Sequence, residues 1–199
     1  MKNLINSVLR FLIGLKRPSK KTNRRKLQER GETIDSFTFR DATEEDIPEL
    51  GKLHAITWAE TYNAKKPNIL LRQYQWQKTF TEENDGSWFC ILVANAKDEL
   101  VGFAKGKINK DEHSSQLHGD LNKIYLLSDY QRIGLGKKLF TLVVQRFLSR
   151  GINDMGLFGV PQNPSCAFHE AMGGERSYSD KGTFDGCYRW PDLKKLSEI

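Results

Sequence analysis

Disulfides, metal centres and membrane spans are all poorly served by this chain. Three cysteines in 199 residues, Cys90, Cys166 and Cys187, form no closely spaced pair, and their number is odd. That pattern fits reduced thiols in a cytoplasmic protein and argues against a disulfide framework. Each cysteine reads as a small buried hydrophobe. The four histidines, His54, His113, His118 and His169, form no ligand cluster. His113 and His118 share a loop, but no cysteine or acid completes a set, so no metal is expected. The N-terminal apolar run is interrupted by Arg10 and is too short to cross a bilayer. A charged block follows it with no small-residue cleavage site, which speaks against a secretory signal. The body carries no internal repeat and no low-complexity stretch.

Acidity is missing from the first thirty residues. They hold ten Lys or Arg against the single acid Glu29, a net of +9, so the overall +6 leaves −3 for the other 169 residues. The basic character belongs to the leader and the body is mildly acidic. Leu4, Ile5, Val8, Leu9, Leu12 and Ile13 share one helical face. Residues 1–35 therefore read as a basic amphipathic extension. It could rest weakly on an anionic membrane surface. The alternatives are a flexible tail, or a helix packed on its own domain or on a second subunit, which leaves a homodimer open. Specific nucleic-acid binding is not expected, because no aromatic residues interleave with the charges of Lys20–Lys26.

Residues 36–199 have the length and the apolar content, 38% of the whole chain with 11% aromatics, for one domain with a core. Phe37–Arg40, Trp88–Ala94, Leu100–Ile108, Asp120–Leu127 and Asp154–Val160 read as strands, and Tyr178 and Phe184–Trp190 mark the closing ones. Glu44–Tyr62, Leu70–Phe80, Leu135–Arg150 and Pro164–Met172 read as helices, with Leu139, Leu142, Val143 and Phe147 inward on the third. Hairpin-length links come first and helical crossovers later. That order predicts an α/β fold, a single domain with a mixed, mostly antiparallel sheet of six to seven strands and helices on both faces.

The most informative stretch runs from Leu121 to Phe140. A strand-like run enters a polar turn, Gln131-Arg132-Ile133-Gly134-Leu135-Gly136, that opens a helix. Glycines at 134 and 136 bare backbone amides at a helix N-terminus, and Arg132, Lys137 and Lys138 add positive charge. Such a turn suits phosphate. A dinucleotide fingerprint would need a third glycine where Leu139 stands, and a Walker A loop would need glycine at Gln131 and Ser or Thr at Lys138.

The pattern Gln-x-x-Gly-x-Gly after a β-strand resembles the GCN5-related N-acetyltransferases, the GNAT family. Asn163-Pro164-Ser165-Cys166-Ala167-Phe168-His169-Glu170-Ala171-Met172-Gly173-Gly174 is similar to that family's Asn-Pro-x-x-x-Phe-Tyr-Glu-x-x-Gly-Gly segment. Thr57-Trp58-Ala59-Glu60-Thr61-Tyr62 is similar to its first-helix pattern. The resemblance spans about residues 37–190 and implies the GNAT fold, with residues 36–199 as the N-acetyltransferase domain.

It further implies acetyl-CoA as cosubstrate and an amine, on a small molecule or a peptide, as acceptor. The coenzyme pyrophosphate would sit on the turn amides, Arg132, Ile133, Gly134, Leu135, Gly136 and Lys137. The pantetheine arm would pair with the backbone of Ile124, Tyr125 and Leu126, and Asn163 would contact it. An N–H near Leu126 would stabilise the thioester oxygen. Asp120 is the candidate base, with Glu60 behind it. His169 stands where the family commonly has a tyrosine that protonates the departing thiolate; imidazole could take that role, or the role could be lost. Trp58 and Tyr62 would wall the acceptor pocket. The function implied is acetyl transfer to an amine by direct attack on the thioester. The alternative is an acetyl-CoA-binding regulatory module that catalyses little.

Overall fold

The computed structural model describes residues 19–82, 85–109 and 118–196. The apolar face of Leu4–Ile13 and His113 lie outside the described residues.

Seven strands form one sheet in the order β1-β2-β3-β4-β5-β7-β6. They are β1 (Thr38–Asp41), β2 (Trp88–Ala94), β3 (Leu100–Ile108), β4 (Gly119–Leu126), β5 (Met155–Leu157), β6 (Glu175–Tyr178) and β7 (Phe184–Trp190). All neighbours run antiparallel except β4 and β5, which are parallel. The helices are α1 (Lys20–Glu29), α2 (Ile47–Tyr62), α3 (Ile69–Glu82), α4 (Leu135–Ser149) and α5 (Cys166–Ala171). Among the described residues, no helix is long and apolar enough to cross a membrane.

Side chains alternate along β2 and feed two cores. Cys90 and Leu92 pack with Ile47, Leu50 and Leu53 of α2 and Trp76 and Phe80 of α3. Phe89, Ile91 and Val93 face the other way, onto Leu135, Leu139, Phe140, Val143, Val144 and Phe147 of α4. Helices thus cover both faces. Leu142, expected inward on α4, is only partly buried, and Phe140 and Val144 complete that face instead.

Local chemistry fixes the element ends. The Asp46 carboxylate accepts the Thr43 N–H at 2.8 Å and a bidentate pair from Arg40, which sets the entry to α2. Pro48 stands in its first turn, and Asn63 closes it in the left-handed region at φ 48°. Gly51 lets α3 approach: a Cβ there would lie 2.9 Å from the Gln73 backbone nitrogen.

Several elements are shorter than the sequence predicts; α2 begins at Ile47 and not at Glu44, because Glu44–Asp46 forms a separate 3-10 turn. β5 ends at Leu157 because the chain then crosses β7 closely; a Cβ on Gly186 would lie 2.4 Å from the Val160 carbonyl carbon. The short helix begins at Cys166 because Asn163 Oδ1 and the Asn163 carbonyl hold Ser165 N–H and Cys166 N–H in a turn. The cysteines are all free thiols, but only Cys90 is buried. Cys166 and Cys187 are half-buried and do not fit the expected role of buried hydrophobes.

The basic leader contributes a helix of its own. α1 lays Asn23 and Leu27 against the body, and Asn23 is fully buried. Its Nδ2 donates to the carbonyls of Ser128 and Gln131 at 2.8 and 2.9 Å. Lys26 pairs with Asp129, and the Arg30 guanidinium lies 4.6 Å from the Tyr130 ring centre.

Candidate active site

Between β4 and α4 the chain makes the glycine-bearing turn. Arg132 and Gly134 both have positive φ, 61° and 108°. Gly134 caps α4, and Lys138 N–H is the donor that reaches the Gly134 carbonyl, at 3.1 Å. The amides of Leu135, Gly136 and Lys137 therefore precede the first intrahelical donor and are open to a ligand. A Cβ on Gly136 would press on Phe168 at 3.2 Å. Three braces hold the turn. α1 grips it through Asn23. The Glu60 carboxylate accepts Ser128 N–H at 2.9 Å and Ser128 Oγ at 3.1 Å. Gln131 Nε2 donates to the Leu126 carbonyl at 2.9 Å.

β4 supplies the second feature. It meets β5 only at Gly119↔Met155 and Asp120↔Gly156, and the two strands then part. Leu127 N–H donates to the Val101 carbonyl on the β3 side. Antiparallel alternation then turns the backbone groups of Leu126 and Ile124 away from β3, towards the gap. A bulge near Asn122 shifts the register from Lys105↔Lys123 to Gly106↔Leu121.

The gap is a cleft lined by Tyr62, Ile124 and Tyr125 on one side and by Gly159, Asn163 and His169 on the other. The sequence points to all of these except Gly159 as site residues. It does not point to Asn122, Lys123 or Ser165, which also line the cleft.

His169 is 2% exposed and packs against Phe168, Tyr188 and Trp190. Burial lowers its pKa to about 4, and its Nδ1 has no partner. At neutral pH it is an uncharged imidazole held in an aromatic cage. Its helix is tied to the sheet through Glu170, which accepts from Arg176 and from Tyr188 Oη at 2.9 Å.

Asp120 lies at the foot of the split, where β4 and β5 still pair. It does not line the cleft but accepts from Asn122 Nδ2 at 3.1 Å, and Asn122 does line it. Burial raises its pKa, against the opposing pull of Asn122 and of Lys123, Lys107 and Lys105. Glu60 is committed to Ser128.

Above the cleft, Trp58 packs on Tyr62 with ring centres 5.2 Å apart. Burial, the charge of Tyr62 and a hydrogen bond with it raise the Tyr125 pKa. His54 is buried against Trp76, Phe103 and Tyr125, and burial followed by the charges of Arg72 and Lys123 lowers its pKa to about 3. Arg72 of α3 lies beside Trp58, its guanidinium carbon 5.9 Å from the ring centre; of this group Tyr62 and Tyr125 line the cleft, and Trp58 and Arg72 stand next to them. Nothing in the sequence flagged His54 or Arg72, because only the packing of α3 on α2 brings them together.

Comparison with known proteins agrees with this geometry. Residues 48–174 match the acetyltransferase (GNAT) family model. The chain is 30% identical over 170 residues to the Uncharacterized N-acetyltransferase YuaI of Bacillus subtilis (strain 168), covering 81% of this chain and 97% of that protein. In fold it is similar to a PaiA N-acetyltransferase from Thermoplasma acidophilum solved with coenzyme A, with a TM-score of 0.62, 19% identity and coverage of 77% and 98%. The spermidine N-acetyltransferase SpeG of Vibrio cholerae is similar too, with a TM-score of 0.54, 14% identity and coverage of 78% and 92%.

Proposed function

Since the chain belongs to the acetyltransferase (GNAT) family, we propose that it moves an acetyl group from acetyl-CoA to the nitrogen of an amine by direct attack. The observation that carries this reading is the meeting of two sets of unpaired backbone groups. One is at the start of α4, the other on the β4 edge that faces the gap. Both suit one long ligand with a diphosphate at one end and amide groups along its arm. When bound, acetyl-CoA supplies an acetyl group already activated as a thioester.

The chain's own groups then divide the work. The amides of Arg132, Ile133, Gly134, Leu135, Gly136 and Lys137 hold the diphosphate, with helix polarity and the Lys137 and Arg132 charges assisting. Of Ile124, Tyr125 and Leu126, the first and last hold the arm through their gap-facing backbone groups as an added strand would, while the Tyr125 backbone faces β3, and Asn163 contacts the arm from the opposite wall. The Leu126 N–H donates to the acyl oxygen as charge develops there. Asp120 takes the acceptor's proton through ordered water while Asn122 Nδ2 orients its carboxylate, and its raised pKa improves it as a base. His169 keeps its place in the cleft wall but lacks a second proton to give at pH 7, since its pKa is about 4. The thiolate leaves unaided.

The test is an acceptor screen with the full chain and acetyl-CoA, read by thiol release and by mass spectrometry of the product. Acetylated amine is expected. Gly136→Asp should abolish coenzyme A binding in calorimetry, since a carboxylate would repel the diphosphate and its Cβ presses on Phe168 at 3.2 Å. Unchanged affinity would overturn the assignment of the turn. Tight binding of acetyl-CoA with no amine acetylated would favour the regulatory module.

A further inference from the structure

The wall above the cleft has the wrong charge for a polycation. Arg72 is half-buried, and its Nε is fully buried with no partner. Nη1 donates to Gln75 Oε1 at 2.8 Å, and among the described residues no carboxylate pairs with the guanidinium. Its surroundings are an indole, Trp58, and two groups its charge acts on, His54 and Tyr125. None of these is anionic near pH 7. The nearby cleft side chain of known charge is a second cation, Lys123. Asp120 is itself influenced by Lys123, Lys107 and Lys105. A partly dehydrated guanidinium with no counter-charge is costly to keep, and its planar fork matches an oxyanion.

We propose that the acceptor is an amine that also bears a carboxylate or phosphate, and that Arg72 binds this oxyanion beside Trp58 while the amine faces the thioester end of the cleft. This rests on the acetyltransferase reading and names the class of its acceptor. A polyamine would bring further ammonium groups against Arg72. α3 is placed to do this because Gly51 lets Gln73, the neighbour of Arg72, pack on the α2 backbone.

The experiment uses the full chain saturated with coenzyme A and titrates matched pairs by tryptophan fluorescence: phenylalanine against phenethylamine, glutamate against 4-aminobutyrate, phosphoethanolamine against ethanolamine, with spermidine alongside. Turnover with acetyl-CoA is measured on the same set. At least one member carrying the extra oxyanion should bind and react about 10-fold better than its partner or more, the scale of a lost charge-assisted pair. The amino-acid and phosphoethanolamine arms tell carboxylate from phosphate. Arg72→Gln should erase that gap, Arg72→Lys should restore part of it, and coenzyme A affinity should stay unchanged in both. Preference for spermidine or for the partners without the oxyanion, equal treatment within every pair, or a gap that persists in Arg72→Gln would overturn the proposal while the acetyltransferase reading stands. Absence of coenzyme A binding in the unaltered chain would sink both.

Discussion

Two glycines at opposite ends of α4 allow the phosphate turn to be tested against its own backbone strain. Gly134 caps the N-terminus at φ 108°, and Gly151 follows the C-terminal cap at φ 76°. Neither is crowded: a Cβ at 134 would meet only Ile34 Cδ1 at 3.9 Å, and one at 151 would meet nothing within 4 Å. Alanine at either site therefore costs backbone energy alone, about 1–2 kcal/mol. For a domain of this size that lowers the melting temperature by roughly 2–8 °C. The two variants part in ligand binding. Relief of strain at 134 rotates the amides of Leu135 and Gly136, which sit in the turn, and losing one charge-assisted hydrogen bond is worth about 1.5–3 kcal/mol. Coenzyme A affinity in Gly134→Ala should fall about 10-fold or more, while Gly151→Ala should bind as the unaltered chain does. Urea unfolding measures the first effect and calorimetric titration the second. Equal affinity in all three proteins, or equal loss in both variants, would refute the role given to these amides.

Three further outcomes follow from the packing. His54 and His169 have folded pKa values of about 3 and about 4, below the ordinary 6.5, so the unfolded chain takes up protons first as pH falls. Stability should therefore be full above pH 6.5 and decline towards pH 3, with a slope of up to about 1.4 kcal/mol per pH unit for each histidine; urea midpoints should flatten in His54→Gln with His169→Gln, and an unchanged slope would contradict the burial argument. Gly51→Ala should cost about 1–3 kcal/mol, because α3 must move off a Cβ that lies 2.9 Å from the Gln73 nitrogen; a thermal midpoint equal to that of the parent would count against the close helix contact. Asn23→Ala strips donors from the carbonyls of Ser128 and Gln131; a loss of about 2 kcal/mol together with weaker coenzyme A binding is expected, and unaltered binding would mean that α1 does not brace the turn. Liposome sedimentation is correspondingly best done with a chain shortened to Ser19, which keeps α1, compared with the full chain.

The sequence made the fold legible wherever one residue type had one local job. Hydrophobic runs gave β2 and β3 their ends, apolar residues at helical spacing marked α2 up to Tyr62, and the spacing of Gln131, Gly134 and Gly136 announced the turn before any neighbour was known. Legibility failed where a residue's meaning comes from what packs on it. Asn23 looks like one polar residue in a basic block, yet it is fully buried against two carbonyls. His169 reads equally as a proton donor or as a structural histidine, and the sequence gives no sign that Phe168, Tyr188 and Trp190 close around it. β5 reads as seven residues until Gly186 is seen to pass beneath Val160. Arg72 has no motif at all; its surroundings are made by two helices meeting.

The parting of β4 from β5 has a consequence for how this protein should be handled. A sheet with rungs missing in its middle is an incomplete fold, and whatever fills the gap finishes it. Thermal stability should then track the ratio of free ligand to its dissociation constant, gaining about 2.7 kcal/mol at a hundredfold excess. The empty form presents bare strand to any extended chain it meets. Purification stripped of nucleotide would select the form most prone to self-association, and added coenzyme A would act as a structural part as much as a reagent.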